Sequence, residues 1–465
     1  MKKSRLLDVF RQLDRRDVRL FSKFVRSAYF NQQETLVRLW DYLVEHAGAG
    51  NGQLEKAVAF KKLFPGKPYN DPAMRLMMSD LYQLIGQYIA SQQLLSDPIK
   101  MSCLQAAGWQ ERQNAVQFER SLLLAEKTAE SATQESADLH WETFKIGLEK
   151  YMFTARSAPA VNFDFSALIH HIDAAYLAAR LRLACLAFTH KTVYGLESQF
   201  YFLDELLGYA KQSDLLRSPL VGVYYHCYLS LRTSEQAEHF QAFKTILIGQ
   251  GKSFSVHELR DLYLFAINYC IRKVNENQLD FFFQVMDLYK EGLQTGSLLE
   301  NGQLSRFTYH NIVAAALQTG EYTWAEQFIQ AYKALLAKAY RESSYSFNLA
   351  RLAYRQKQYD VALPLLQKAN YRDLLLNLAA KTLLLKIYYE LSEHDLLHAH
   401  LTAMKTFIRR KRVIGYHHDN YLKIVRFTAK LLTINRFDRA ERAALRQEIE
   451  QDLTLTEREW LLEQL

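Results

Sequence analysis

Apolar residues recur along this chain at helical spacing rather than in the alternation of strands. Leu6, Leu7, Phe10 and Leu13 make one short apolar face and Val18, Phe21, Phe24 and Val25 a second; a break near Asp14 predicts two short helices. After a turn at Ser27 to Asn31, Leu36, Leu39, Trp40 and Leu43 form a third amphipathic face, and Ala47 to Gly52 reads as a loop. A long helix is predicted from Asp71 to Leu95, because Pro72 stands in its first turn, where a missing N–H costs nothing. Pro98 restarts the chain, and further helices are expected at about Gln110 to Ala129 and Glu135 to Thr154. The segment Ala155 to Phe165 holds Pro159 and has no helical period, which marks an internal boundary. Hairpins then follow one another: Ser166 to Thr189 with Ser198 to Gln212, Pro219 to Leu231 with Glu235 to Ile248, and Val256 to Val274 with Gln278 to Leu293.

The last third carries a repeating skeleton. An aromatic or His is followed by a small or aliphatic residue three positions on and an apolar residue seven on, and is preceded by another apolar residue ten back. The sets are Tyr322, Ala325, Ile329 and Ile312; Tyr359, Ala362, Leu366 and Leu349; His394, Leu397, Leu401 and Leu384; and Phe437, Ala440, Ala444 and Phe427. Successive anchors lie 37, 35 and 43 residues apart, near the roughly 34-residue period of helix-turn-helix arrays. Leu317 to Ala325, Tyr354 to Ala362, Tyr388 to Leu397 and Asn435 to Ala440 resemble the inter-helix turn of tetratricopeptide repeats, in which Gly and Tyr precede a small Ala. Only the first has the Gly, none has a closing Pro, and an insertion falls near Arg409 to Gly415. The resemblance implies an all-α protein, an α-solenoid of stacked antiparallel hairpins that presents a groove to a partner. At the other end, Phe21 to Asn31, followed by Leu36, Leu39 and Tyr42, resembles the opening of uncharacterised helical proteins from Bacteroidota and implies a lineage rather than an activity.

The division expected is therefore a helical cap over 1–100, connecting helices over 101–165 and a tetratricopeptide-like array over 166–465, without a sheet. Composition fits it: 17 Gly and 7 Pro in 465 residues are about 5% against roughly 12% in average chains, so turns are few and short. Hydrophobic residues at 49% and charged residues at 23% are too apolar a mixture for wholesale disorder. The four cysteines are scattered without a Cys-x-x-Cys pair, which argues for a reducing, cytoplasmic setting. Asp8 and Arg11 interrupt any signal-peptide core, and the longest stretch without a charge, Leu81 to Ser96, has 16 residues, short of the about 20 that a membrane span needs.

Chemical motifs are approached and missed. Gly249-Gln-Gly251-Lys252-Ser253 has the end of a phosphate-binding loop, but Ile246 stands where the first Gly belongs and a helix precedes it. His257-Glu258 lacks a second His, and His394 with His398 lacks a third ligand. The neighbours His170-His171 and His417-His418 would point about 100° apart on a helix. The reading is of a protein that is not an enzyme, with no cofactor and no metal.

Charge is unevenly placed. Net charge is +8, with eleven Lys and Arg against three acids from Arg409 to Arg446 and nine against three from Met1 to Phe30. Such clusters attract polyanions, although most charge runs are solvated faces. Two functions stay open. The first is a scaffold binding a peptide or helix through Tyr309, Asn311, Asn348, Arg351, Tyr354 and Arg355, on or near the first helices of their repeats. The alternative is a nucleic-acid-binding repeat protein using Arg409, Arg410, Lys411, Arg412, Lys423 and Arg426, with Phe407, Tyr416 and Tyr421 as stacking rings.

Overall fold

The first two helices begin where the sequence supplies an oxygen to cap them. Ser4 Oγ accepts from the Leu7 N–H at 3.4 Å ahead of α1 (Arg5–Phe10), and Asp14 Oδ1 accepts from the Asp17 N–H at 2.7 Å ahead of α2 (Arg15–Phe24). α3 (Glu34–Glu45), α4 (Lys56–Leu63) and α5 (Asp71–Leu95) follow, the last capped by Asn70 with Pro72 in its first turn. The computed structural model describes residues 4–46, 54–157, 163–194, 198–233, 237–276, 278–368, 373–410, 416–435, 437–452, 455 and 457–465. It is 79% helical, with 23 α-helices among those residues, so the protein is all-α.

Two compact units meet after Ala179. In the first, α1 to α5 enclose an aromatic core. Trp40 is fully buried, with ring centroids 5.4 Å from Phe10 and 4.5 Å from Phe21, and Phe21 lies 5.5 Å from Tyr88, all edge-on. The Tyr88 hydroxyl donates to Asp17 at 3.0 Å and the Trp40 indole N–H to Ser22 Oγ at 2.8 Å, so the polar ends of these rings are partnered. Next come α6 (Pro98–Glu111), α7 (Ala115–Glu130), α8 (Ala137–Ser157) and α9 (Ser166–Tyr194), within which the boundary falls. Where one helix was expected from Gln110, the chain turns instead: Gln113 takes φ 55° and Asn114 caps α7.

The second unit pairs α11 (Pro219–Arg232), which follows α10 (Leu203–Gln212), with α12 (Ala237–Gly249), and α13 (Val256–Asn275) with α14 (Phe281–Gln294). These bounds lie within a few residues of the expected hairpins. A short antiparallel hairpin follows, β1 (Leu299–Glu300) with β2 (Gln303–Leu304). It departs from the expectation of no sheet, and its cause is local: Asn301 and Gly302 both hold positive φ, 51° and 74°, as a tight two-residue turn requires. Then come α15 (Arg306–Gln318), α16 (Tyr322–Tyr332), α17 (Arg341–Arg355), α18 (Tyr359–Lys368), α19 (Leu374–Glu390), α20 (His394–Arg410), α21 (Tyr416–Thr433), α22 (Arg439–Gln451) and α23 (Arg458–Glu463). α15, α17 and α19 each pack on the helix that follows, and α17 also touches both α15 and α19.

One turn joins three of these pairs. Gly320, Lys357 and Ser392 take φ 77°, 59° and 59°. The next residue's N–H reaches back to a carbonyl of the finished helix: Glu321 to Ala316 at 2.9 Å, Gln358 to Ala353 at 2.8 Å and Glu393 to Tyr388 at 2.9 Å. Asn114 does the same to Trp109 at 3.0 Å after Gln113, between α6 and α7. Behind the three turns, Ala325, Ile329 and Ile312, then Ala362 and Leu366, then Leu397 and Leu401 are buried. The fourth set is corrected at three of its four positions, Phe427 alone being buried. Phe437 is 96% exposed, and Ala440 and Ala444 are exposed; α22 buries Leu445 and Ile449 instead.

Candidate partner-binding face

The expected partner residues divide into interior and surface groups. Tyr309 is fully buried; its hydroxyl donates to the Ile329 carbonyl at 2.7 Å, and burial raises its pKa. Asn348 is also fully buried, its amide 3.0 Å from His310 Nδ1 between α17 and α15. Both therefore tie helices together rather than meet a partner, which corrects their placement on the groove. The cause is packing: Tyr309 reaches the Ile329 carbonyl on α16 and Asn348 meets His310 on α15, so both side chains are enclosed between helices. Asn311 is exposed and Arg355 is exposed, reaching Gln318 at the end of α15; Arg351 and Tyr354 are half-buried.

Arg351 donates to the His310 carbonyl at 3.2 Å, and removal of its guanidinium from water lowers its pKa to about 10, so it remains a cation at neutral pH. Burial lowers the His310 pKa to about 4, leaving a neutral ring that accepts from the Asn348 amide. Arg306, at the start of α15, pairs with Asp373 at 2.9 Å, and Asp373 also caps α19. Cations thus link α15, α17 and α19: Arg306 reaches Asp373, Arg351 and Arg355 reach back from α17 to α15, and the Lys386 ammonium of α19 lies over the Tyr354 ring of α17.

Sequence reasoning missed the centre of this face. The carboxylate of Glu390, the last residue of α19, accepts from the hydroxyls of Tyr354 and Tyr359 and, at 2.7 Å, from the indole N–H of Trp460 on α23. Burial is the leading cause that raises both tyrosine pKa values, Tyr359 to about 12, with the Glu390 hydrogen bond second. Lys386, one turn before Glu390, pairs with Glu457 at 2.7 Å, and its ammonium lies 4.9 Å from the Tyr354 ring centroid and 5.5 Å from that of Trp460. A signal was present in the sequence: Glu457 and Trp460 stand three apart beside Leu461, the pattern of an amphipathic turn.

The basic cluster is partly neutralised. Lys423 pairs with Asp452 at 2.8 Å, while Arg426 and Lys430 share Glu448 at 3.4 and 2.5 Å. Arg409 and Arg410, at the end of α20, are exposed; Lys411 and Arg412, with the rest of the expected insertion to Gly415, lie outside the described residues. The Gly251–Ser253 segment is a 3-10 turn that follows α12. Among the described residues, no group of three or more His, Cys, Asp or Glu side chains is placed to hold a metal, and no helix is long and apolar enough to cross a membrane. Searches of family models, curated proteins and solved structures returned no match to this chain.

Proposed function

We propose that this chain is a non-enzymatic scaffold: a tetratricopeptide-like α-solenoid whose first helices α15, α17 and α19 present a cationic, aromatic face to a peptide or helix of a protein partner. The observation that carries the reading is the contact of α17 with both α15 and α19, with Arg351, Arg355 and Lys386 along them. Rigid helices hold these side chains in place before a partner arrives, which lowers the ordering cost of binding. The recurring turns at Gly320, Lys357 and Ser392 support the stack, because one hairpin geometry repeated at one period brings equivalent helices side by side. The free state of all four cysteines supports a reducing, cytoplasmic location.

The test is affinity co-purification from the native host with wild-type chain and with Arg351→Glu/Arg355→Glu, identifying both protein and nucleic acid. The expected result is a protein retained by the wild type and lost from the variant. Equal recovery by the two chains would overturn the reading. Recovery of nucleic acid alone, weakening steeply with salt, would replace it by the nucleic-acid alternative.

A further inference from the structure

α23 meets a surface that lies about 70 residues earlier in the sequence, and it meets it through two contacts in register. Glu457 and Trp460 are one helical turn apart, as are Lys386 and Glu390 on α19, and the pairs are joined at 2.7 Å each: carboxylate to ammonium, and indole N–H to carboxylate. Trp460 also sets its ring edge-on to Tyr389, centroids 5.5 Å apart. Charge explains the pairing. Lys386 is only 9% exposed and lies close to the Tyr354 ring, so Glu457 is the carboxylate that offsets its ammonium, while Glu390 is occupied by the Tyr354, Tyr359 and Trp460 donors.

The segment that meets Lys386 and Glu390 is held by its tertiary contacts: Leu461 is fully buried and Trp460 nearly so in the same apolar cluster as Leu385 and Tyr389. α23 has six residues, too short to hold as a helix in water without tertiary contacts. It is entered through Glu457 at φ 60°, a left-handed conformation that a non-glycine residue adopts only under constraint. A longer helix carrying the same two groups would make the same contacts without that strain.

We propose that α23 is a built-in occupant of the partner-binding face, and that the face selects acidic amphipathic helices in which a carboxylate precedes a tryptophan by three residues. This rests on the reading of the α15, α17 and α19 face as a partner surface. A partner helix of this pattern displaces α23 from Lys386 and Glu390, and the tethered segment sets the threshold that the partner must exceed.

The test uses the full chain and a labelled peptide of residues 455–465. Tethering gives α23 an effective concentration that a free peptide must outcompete. The chain variant Glu457→Lys, shown to be folded by circular dichroism, should therefore bind the peptide at least about tenfold more tightly than wild type. A charge-swapped peptide, with Lys in place of Glu457, should bind the Lys386→Glu chain and not the Glu457→Lys chain. Wild-type protein supplies a measurement that needs no substitution: excess peptide should increase deuterium uptake across residues 457–465 while α19 stays protected. Equal peptide affinity of wild type and Glu457→Lys, or unchanged uptake in 457–465, overturns the proposal. If the host partner is lost from Arg351→Glu/Arg355→Glu and the peptide still fails to bind, the built-in occupant falls and the partner face stands. If the peptide binds and swaps as expected while host capture is indifferent to those arginines, the face reading falls instead.

Discussion

Lys357 and Ser392 hold the same left-handed conformation, φ 59° in each, at the same place in two successive inter-helix turns, where Gly320 stands in the turn before them. An L-residue there costs about 1 to 2 kcal/mol, and a glycine loses about 0.5 to 1 kcal/mol more chain entropy on folding. Lys357→Gly and Ser392→Gly should therefore each stabilise the second unit by about 0.5 to 1 kcal/mol, read from urea midpoints. Gly320→Ala should destabilise it by a similar amount. A loss of stability in both glycine variants would mean that their side chains make contacts worth more than the strain.

His310 makes the protein sensitive to acid. Its folded pKa, about 4, is depressed from the ordinary 6.5, first by burial and then by the facing Arg351 and Arg306, while the Asn348 hydrogen bond and Asp373 act the other way. Above pH 6.5 the ring is neutral in both folded and unfolded chains. As pH falls toward 4 the unfolded chain takes up a proton that the folded chain refuses, so stability declines in this window by about 2 to 3 kcal/mol. His140, depressed to about 4 by burial and by His171 and His170, imposes the same direction on the first unit. His310→Gln should flatten the fall between pH 6.5 and 5, measured by denaturant titration at each pH.

The face that α22 turns inward separates two packings of the C-terminal helices. Ile449 is fully buried with Leu445, whereas Phe437 lies almost wholly in solvent. Ile449→Ala should cost about 2 to 4 kcal/mol, and Phe437→Ser should change stability by less than about 0.5 kcal/mol. The reverse order in thermal melts would restore the anchor at Phe437.

That contrast shows what a pattern of residue types can carry. Ala325 and Ala362 were legible because a small residue at a close crossing is fixed by helical period and local turn alone. Phe437 has the right type and spacing, but whether an aromatic packs depends on what faces it. Tyr309 and Asn348 failed for a related reason: the sequence places them on a first helix, but not on which side of it. Glu390 as an acceptor for Tyr354, Tyr359 and Trp460 was out of reach, since its partners lie 31 to 70 positions away. The Asn301-Gly302 dipeptide is a hairpin signal in itself, and a reading by helical period passes over it.

Gly222 on α11 lies against the preceding 3-10 turn, Asp214–Arg217, where a Cβ would stand 3.0 Å from the Leu216 carbonyl oxygen and 3.4 Å from Ile246. Alanine gains about 1 kcal/mol of helix propensity, but the backbone oxygen cannot step aside as a side-chain tip does, and overpacking costs about 1 to 3 kcal/mol. Gly222→Ala should lower stability by about 1 kcal/mol. A rise in melting temperature would mean that the 3-10 turn yields.

Arg409 and Arg410 test whether the basic end of the chain takes part in binding. They are exposed at the end of α20, while Lys423, Arg426 and Lys430 are already engaged by Asp452 and Glu448. Exposed cations of this kind contribute little to stability, so Arg409→Ser/Arg410→Ser should melt within about 1 °C of wild type, corresponding to a small fraction of a kcal/mol. If the partner is an acidic helix on the α15, α17 and α19 face, the double variant should retain it at low and moderate salt alike. Loss of the partner at low salt, with the difference shrinking as salt rises, would move the interface to this end and make a polyanion the ligand.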